Sequence, residues 1–155
     1  MKKILILLLI SNFGFCQKAE QIKKLDTIYI VFTKKNGLEK NIYSTNYREY
    51  RFKMKSRKNE KAKYLKFEKP DRKNSSNEKD NPRIDTRFED KSFLKNHSKA
   101  IIDINFFKKY KDQYIACELL SGFKTLYIID LTEKRKTNEI TLYAVFLIHH
   151  CPVYE

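Results

Sequence analysis

The residues most able to do chemistry stand together near the C-terminus, as His149-His150-Cys151. Side chains of an extended strand alternate, so His149 and Cys151 share one face and His150 takes the other. An imidazole and a thiolate on one face are ligands that zinc accepts. Cys117 or His97 would have to complete such a site. The ligands would then come from three separate elements, with none of the C-x-x-C or H-E-x-x-H spacing that marks a metal site, so no metal ligand and no cofactor is assigned. The same two cysteines, Cys117 and Cys151, form a candidate disulfide that would close a loop across 34 positions and add a few kcal/mol in an oxidising compartment.

Histidine paired with a carboxylate is also the acid-base equipment of a small cationic ribonuclease. His97 or His149 beside Glu118 is the arrangement to look for, although nothing in the spacing puts them within hydrogen-bond reach. Asp103 and Asp130 are the two acids set among apolar strand residues. Buried acids are rare unless paired, so both are expected to be exposed or to accept backbone hydrogen bonds at strand ends. No catalytic residue is assigned. Gly14, Gly37 and Gly122 are the only glycines, which excludes a glycine-rich phosphate loop, and no G-x-S-x-G elbow is present.

The elements that would position these residues are best marked in the second half. Thr125–Leu131 and Ile140–His149 are apolar on both faces, as central strands are, and the polar residues 132–139 between them read as the loop of an antiparallel hairpin. Ala100–Ile104 reads as a strand. Asn105 then stands at an N-cap, and Phe107, Tyr110, Tyr114 and Cys117 recur at helical spacing. Gly122 falls where a left-handed residue would end that helix.

In the first half, Ile28, Ile30 and Phe32 alternate with Tyr29 and Val31 in a strand over Thr27–Thr33. Lys35-Asn36-Gly37 supplies a turn leading to a hairpin partner at Asn41–Thr45. Tyr47–Met54 sets Arg48, Tyr50, Phe52 and Met54 on one face, the pattern of a sheet with one wet side, and Lys63–Phe67 is a shorter strand. Residues 68–90 carry only Ile84 and Phe88 as apolar side chains and read as a mobile polar loop. The expected fold class is α+β: a mostly antiparallel sheet of about five to six strands with one main helix over about 105–120.

The N-terminus reads as an address. Met1-Lys2-Lys3 followed by the apolar run Ile4–Ile10 has the form of a signal peptide and is too short to span a bilayer. Residues 1–16 are expected to be removed between Cys16 and Gln17, leaving 17–155 as a single small globular domain without a transmembrane segment. The destination would be the bacterial periplasm or the extracellular space. Cys16 admits a second outcome, since a cysteine after such a run resembles the lipid-bearing residue of bacterial lipoproteins, but Phe15 stands where that pattern has a small residue.

Charge sets the remaining bound. The chain has 33 basic and 19 acidic side chains, a net +14, and loss of Lys2 and Lys3 takes this to +12. Such an excess attracts anionic polymers, whether nucleic acid, lipopolysaccharide or acidic glycan. Lysine greatly outnumbers arginine, however, and scattered lysine is commonly a solvated face. The leading expectation is an exported envelope or secreted protein, non-enzymatic, acting by surface contact with another protein or polymer, an envelope protein or an anionic polymer being the candidate partners. A cationic polymer binder and a small cationic hydrolase are the alternatives.

Overall fold

The computed structural model describes residues 18–34, 37–44, 47–55, 61–69, 86–122, 124–133, 138–149 and 151. The expected signal segment with Cys16 and Gln17, residues 70–85 of the expected loop, and His150 lie outside the described residues.

The two most apolar strands pair as expected. β7 (Thr125–Asp130) and β8 (Glu139–Ile148) run antiparallel, with Leu126 opposite Val145 and Ile129 opposite Leu142. β1 (Thr27–Phe32) lies on the far edge of β7, and there the direction departs from expectation. It runs parallel to β7 from Thr27↔Thr125 to Phe32↔Asp130, and β6 (Ile101–Ile102) adds to its other edge, also parallel. Apolar faces on both sides place β1 centrally, as its sequence implies.

Gly37 does turn the chain, with φ +91°, but not into a hairpin with β1. β2 (Leu38–Ile42) pairs with β3 (Arg48–Lys53) and β3 with β4 (Tyr64–Lys69), all antiparallel. Both edges of β1 are already occupied, so Asn41 and Ile42 of the partner expected at Asn41–Thr45 lie in the other half of the sheet, while Lys35, Asn36 and Thr45 lie outside the described residues.

β8 joins the halves. One edge takes β7; the other takes β5 (Thr86–Asp90) along Glu139–Tyr143 and β4 along Phe146–Ile148. The order is β2-β3-β4-β8-β7-β1-β6 with β5 beside β8, eight strands among the described residues rather than the expected five to six. The expected polar loop 68–90 is thus shorter at both ends. Glu68 and Lys69 belong to β4, and residues 86–90 form a strand with Phe88 exposed. What recruits β5 is the backbone edge of β8 rather than an apolar side-chain pattern.

The sheet folds back over itself. Phe32 of β1 meets Tyr50 and Phe52 of β3 at ring separations of 5.0 and 5.9 Å, although β4, β8 and β7 intervene in strand order. Ile28, Ile30, Leu126, Ile128, Tyr143 and Val145 from one half and Tyr50, Phe52, Leu65 and Phe67 from the other form the main core. The opposite face of β1, β7 and β8 packs Tyr127, Ile129, Ile140, Leu142 and Ala144 against Phe93 of α2 (Ser92–Asn96). Two cores sharing the same strands explain why those strands are apolar on both sides.

The single helix expected over 105–120 is broken. The chain forms α3 (Ile104–Phe107), α4 (Asp112–Tyr114) and a π-helical turn, Ile115–Leu119. At about 100° per residue, one continuous helix would spread the buried Phe106, Phe107, Ile115, Ala116, Leu119 and Leu120 around its whole circumference. A helix lying on a sheet buries one face only. The break at 108–111 lets both apolar groups reach the core. The N-cap is Asp103 rather than Asn105: its Oδ1 accepts from the Phe106 N–H at 3.0 Å, which matches its expected role as a backbone acceptor at a strand end.

Residues 18–23 form α1, a helix outside the expected elements. Ala19 and Ile22 bury its inner face. Lys124 Nζ donates to the carbonyls of Lys23 at 2.8 Å and of Leu25, satisfying carbonyls that a helix end leaves without partners.

Candidate functional site

Two side-chain clusters and one surface stripe stand out. The first cluster is the one the sequence singles out. Cys117, on the π-helical turn, and Cys151, just past β8, are disulfide-bonded with Cα atoms 5.7 Å apart. His149 joins them through the period-two alternation: its ring nitrogen and both sulfurs lie within 4.8 Å of one another. A pocket of about 250 Å³ opens beside them, lined by Leu120, Ser121 and Leu147 as well as His149 and Cys151.

The other expected companions are elsewhere. His97 ends α2, where its ring stacks on Phe93 at 3.9 Å and meets Tyr29 edge-on at 5.5 Å. Glu118 lies 3.9 Å from Lys23, so the structure pairs it with an ammonium rather than with His97 or His149. The described residues that line the pocket include no carboxylate.

The second cluster is built around Asp130, whose side chain is 0% exposed. Sequence reasoning expects exposure or a strand-end backbone acceptor. The residue is the latter, and fully buried besides. Its Oδ1 accepts from the Thr132 N–H at 2.9 Å and the Thr132 hydroxyl at 2.6 Å. Its Oδ2 accepts from Lys40 Nζ at 2.8 Å and the Tyr50 hydroxyl at 3.1 Å.

Glu133 extends the network. It accepts from Arg48 Nη1 and, at 2.7 Å, from the Tyr143 hydroxyl, while the Arg48 guanidinium lies 4.5 Å from the centre of the Tyr143 ring. Two cations thus face two carboxylates. Burial pushes the Tyr50 hydroxyl far up, and the charge of Asp130 pushes it further. Burial would raise Glu133, but hydrogen bonds from Tyr143 and Arg48 and the charge of Arg48 hold it below the ordinary carboxylate range. Nε of Arg48 is buried with no hydrogen-bond partner. Charges neutralised in this way tie β2, β3, β7 and β8 together; they offer neither a free base nor an activated nucleophile.

The partners of Asp130 are missed by a search for acids, yet a signal for them exists. Lys40 and Arg48 occupy strand positions on the same side as Leu38, Tyr50 and Phe52, and a cation on an apolar face needs a buried counter-charge.

No family model, curated protein or solved structure matches this chain. The functional reading therefore rests on its own surface.

Among the described residues the exposed large apolar side chains are Ile42, Tyr43, Phe88, Leu131, Phe146 and Ile148, and of these Phe146 and Ile148 continue a buried strand face. Along one face of β8 the alternation runs Ile140, Leu142, Ala144, Phe146, Ile148. The first three are buried in the α2 core at 4% exposure or less, and the last two are 40% and 47% exposed. No described element covers Phe146 and Ile148. They share the outer face of the β2–β3–β4–β8 half with Lys66 and Glu68 of β4, their register partners, and with Glu49 and Arg51 of β3 in the next positions.

Proposed function

We propose that this chain is an exported, non-enzymatic protein that works by surface contact with another protein, through the outer face of the β2–β3–β4–β8 half. The observation that carries this reading is the β8 stripe. A strand face that is core for three alternate residues continues as exposed Phe146 and Ile148, bordered by the Arg51–Glu49 ion pair and by Lys66 and Glu68, their register neighbours on β4. An apolar centre with a polar rim is the anatomy of a protein contact. Export supplies the setting, supported by the basic start and apolar run of residues 1–16 and by the Cys117–Cys151 bridge, which suits an oxidising compartment.

The test places a photo-crosslinking residue at Phe146 and, in a separate variant, at exposed Lys95 of α2, in cells that make the protein. Discrete adducts from Phe146 but not from Lys95, abolished when Ile148→Asp is added, are the expected result. No adduct from Phe146, or the same adducts from both positions, would overturn the contact face.

A second reading has its own observation. Residues 91–111 carry Lys91, Lys95, Lys99, Lys108, Lys109 and Lys111, all exposed, with Asp103 the only acid between them. This basic segment runs around the β6 edge of the sheet and would suit an anionic polymer.

A further inference from the structure

Cys117, His149 and Cys151 come from two elements that the fold holds rigidly against each other. Cys117 sits in a turn whose neighbours Ile115, Ala116, Leu119 and Leu120 are all core residues. His149 and Cys151 continue β8, whose last residues pair with β4. The three donor atoms lie within 4.8 Å of one another. Around a tetrahedral zinc ion with bonds of about 2.0 to 2.3 Å, donor atoms are about 3.5 to 3.8 Å apart. The imidazole nitrogen is therefore within about 1 Å of its place in such a shell, the two sulfurs have to part to about 3.8 Å once their bond is reduced, and His149 is exposed enough to swing its ring.

We propose that reduction of the Cys117–Cys151 bridge converts this cluster into a binding site for one thiophilic divalent cation of the zinc type, held by two thiolates and one imidazole. This site adjoins the β8 contact face, since Phe146 also lines the pocket beside it, but its ligands are other residues and its metal test does not depend on a protein partner. In the oxidised chain each sulfur's bonding capacity is used by the other, and the cluster offers a lone imidazole. A dithiol reductant supplies two electrons and two protons, becomes a disulfide itself and leaves two thiols. The cation then displaces both thiol protons to solvent, and the two thiolates balance its charge. Three protein ligands leave a fourth position for water or another ligand, and a pocket of about 250 Å³ lies beside His149 and Cys151. An open fourth position is the arrangement of reactive rather than purely structural zinc sites. The chain would thus carry a metal only where its bridge is reduced.

The experiment uses the purified full chain, oxidised or reduced with a phosphine, which takes up the oxygen of one water as the two thiols form. Each form is titrated with Co²⁺ alone, followed by thiolate-to-cobalt charge-transfer absorption, and then with Zn²⁺ as competitor. One equivalent of Co²⁺ should bind to the reduced chain with that band and be displaced by Zn²⁺, while the oxidised chain shows no band. His149→Ala, a change at an exposed position, should weaken binding by at least about tenfold, the size of effect that even an outer-shell partner carries. A reduced chain without a stoichiometric band, an oxidised chain that binds equally, or a His149→Ala chain that binds as the parent does would each overturn the proposal. If reduction lowers the far-ultraviolet circular dichroism, Zn²⁺ must restore it, and failure to do so also counts against the site.

Discussion

At the scale of single residues, the network around Asp130 is where the fold is most exposed to damage. Removing one member of a buried, hydrogen-bonded ion pair leaves the other charge without compensation and costs about 3–5 kcal/mol. Asp130→Ala takes the acceptor from the Tyr50 hydroxyl and leaves Lys40 with the Thr132 hydroxyl and Glu133 at 4.0 Å. Its unfolding midpoint in urea should fall by the equivalent of about 3–5 kcal/mol at unchanged slope, and a loss below about 1 kcal/mol would mean that water already satisfies the cluster. The pH dependence follows from two glutamates. Burial opposes ionisation of Glu133 and Glu49, but hydrogen bonds outweigh it, from Tyr143 and Arg48 in the first case and from Arg51 and Asn41 in the second. Both fall below the ordinary 4.5. A carboxylate depressed on folding stabilises fully above its unfolded value, and the contribution is lost as pH falls through the folded one. Urea midpoints taken downward from pH 7 should therefore hold until about pH 5 and drop below about 4.5, with a shallower drop in Glu133→Gln.

At the scale of elements, what the sequence makes legible and what it hides differ for physical reasons. β7 and β8 can be read because each face is packed against its own core, so burial on both sides is written into the residues. The π-helical segment cannot be, since Phe107, Tyr110, Tyr114 and Cys117 keep the same spacing whether or not the chain breaks at 108–111. Only the full ring of buried positions, Phe106 and Ile115 included, rules out a continuous helix. β5 is hidden because backbone pairing with β8 selects it, and Thr86–Asp90 carries little apolar pattern. The disulfide sits where these two kinds of element meet, the misread turn and the well-read strand. Across its separation of 34 residues, chain entropy predicts a stabilisation of about 3–4 kcal/mol. The double variant Cys117→Ser/Cys151→Ser should lose about that much by urea unfolding in the absence of metal. A loss below about 1 kcal/mol would show that core packing around Leu119 and Leu120 already fixes the turn without the bridge.

At the scale of the whole molecule, the question is whether the net +14 is organised by the fold or merely carried by it. The candidate site is half legible in sequence: alternation puts His149 and Cys151 on one face, with Cys117 or His97 open as the third member until the fold selects Cys117, but a strand face passing from core to surface is hidden, because Phe146 and Ile148 look no different from Leu142 in sequence. Charge has the same ambiguity, since a lysine count is blind to placement. Retention on heparin across a salt gradient separates the two cases when the folded chain is run beside an unfolded control of equal charge. Polyanion binding depends on the number of cations engaged at once, and the salt dependence grows with that number. If contact through the β8 face is the function, lysine placement has no reason to match a polymer, and the folded chain should elute with the control or ahead of it. If the 91–111 segment is a polymer site, the folded chain should elute later, and Lys95→Gln, Lys99→Gln and Lys111→Gln together should remove the difference, whereas neutralising three lysines or arginines of the outer sheet face, Arg51, Lys53 and Lys66, should not. Late elution that responds equally to both sets would mean that neither surface is specialised, and that the attraction belongs to the total charge.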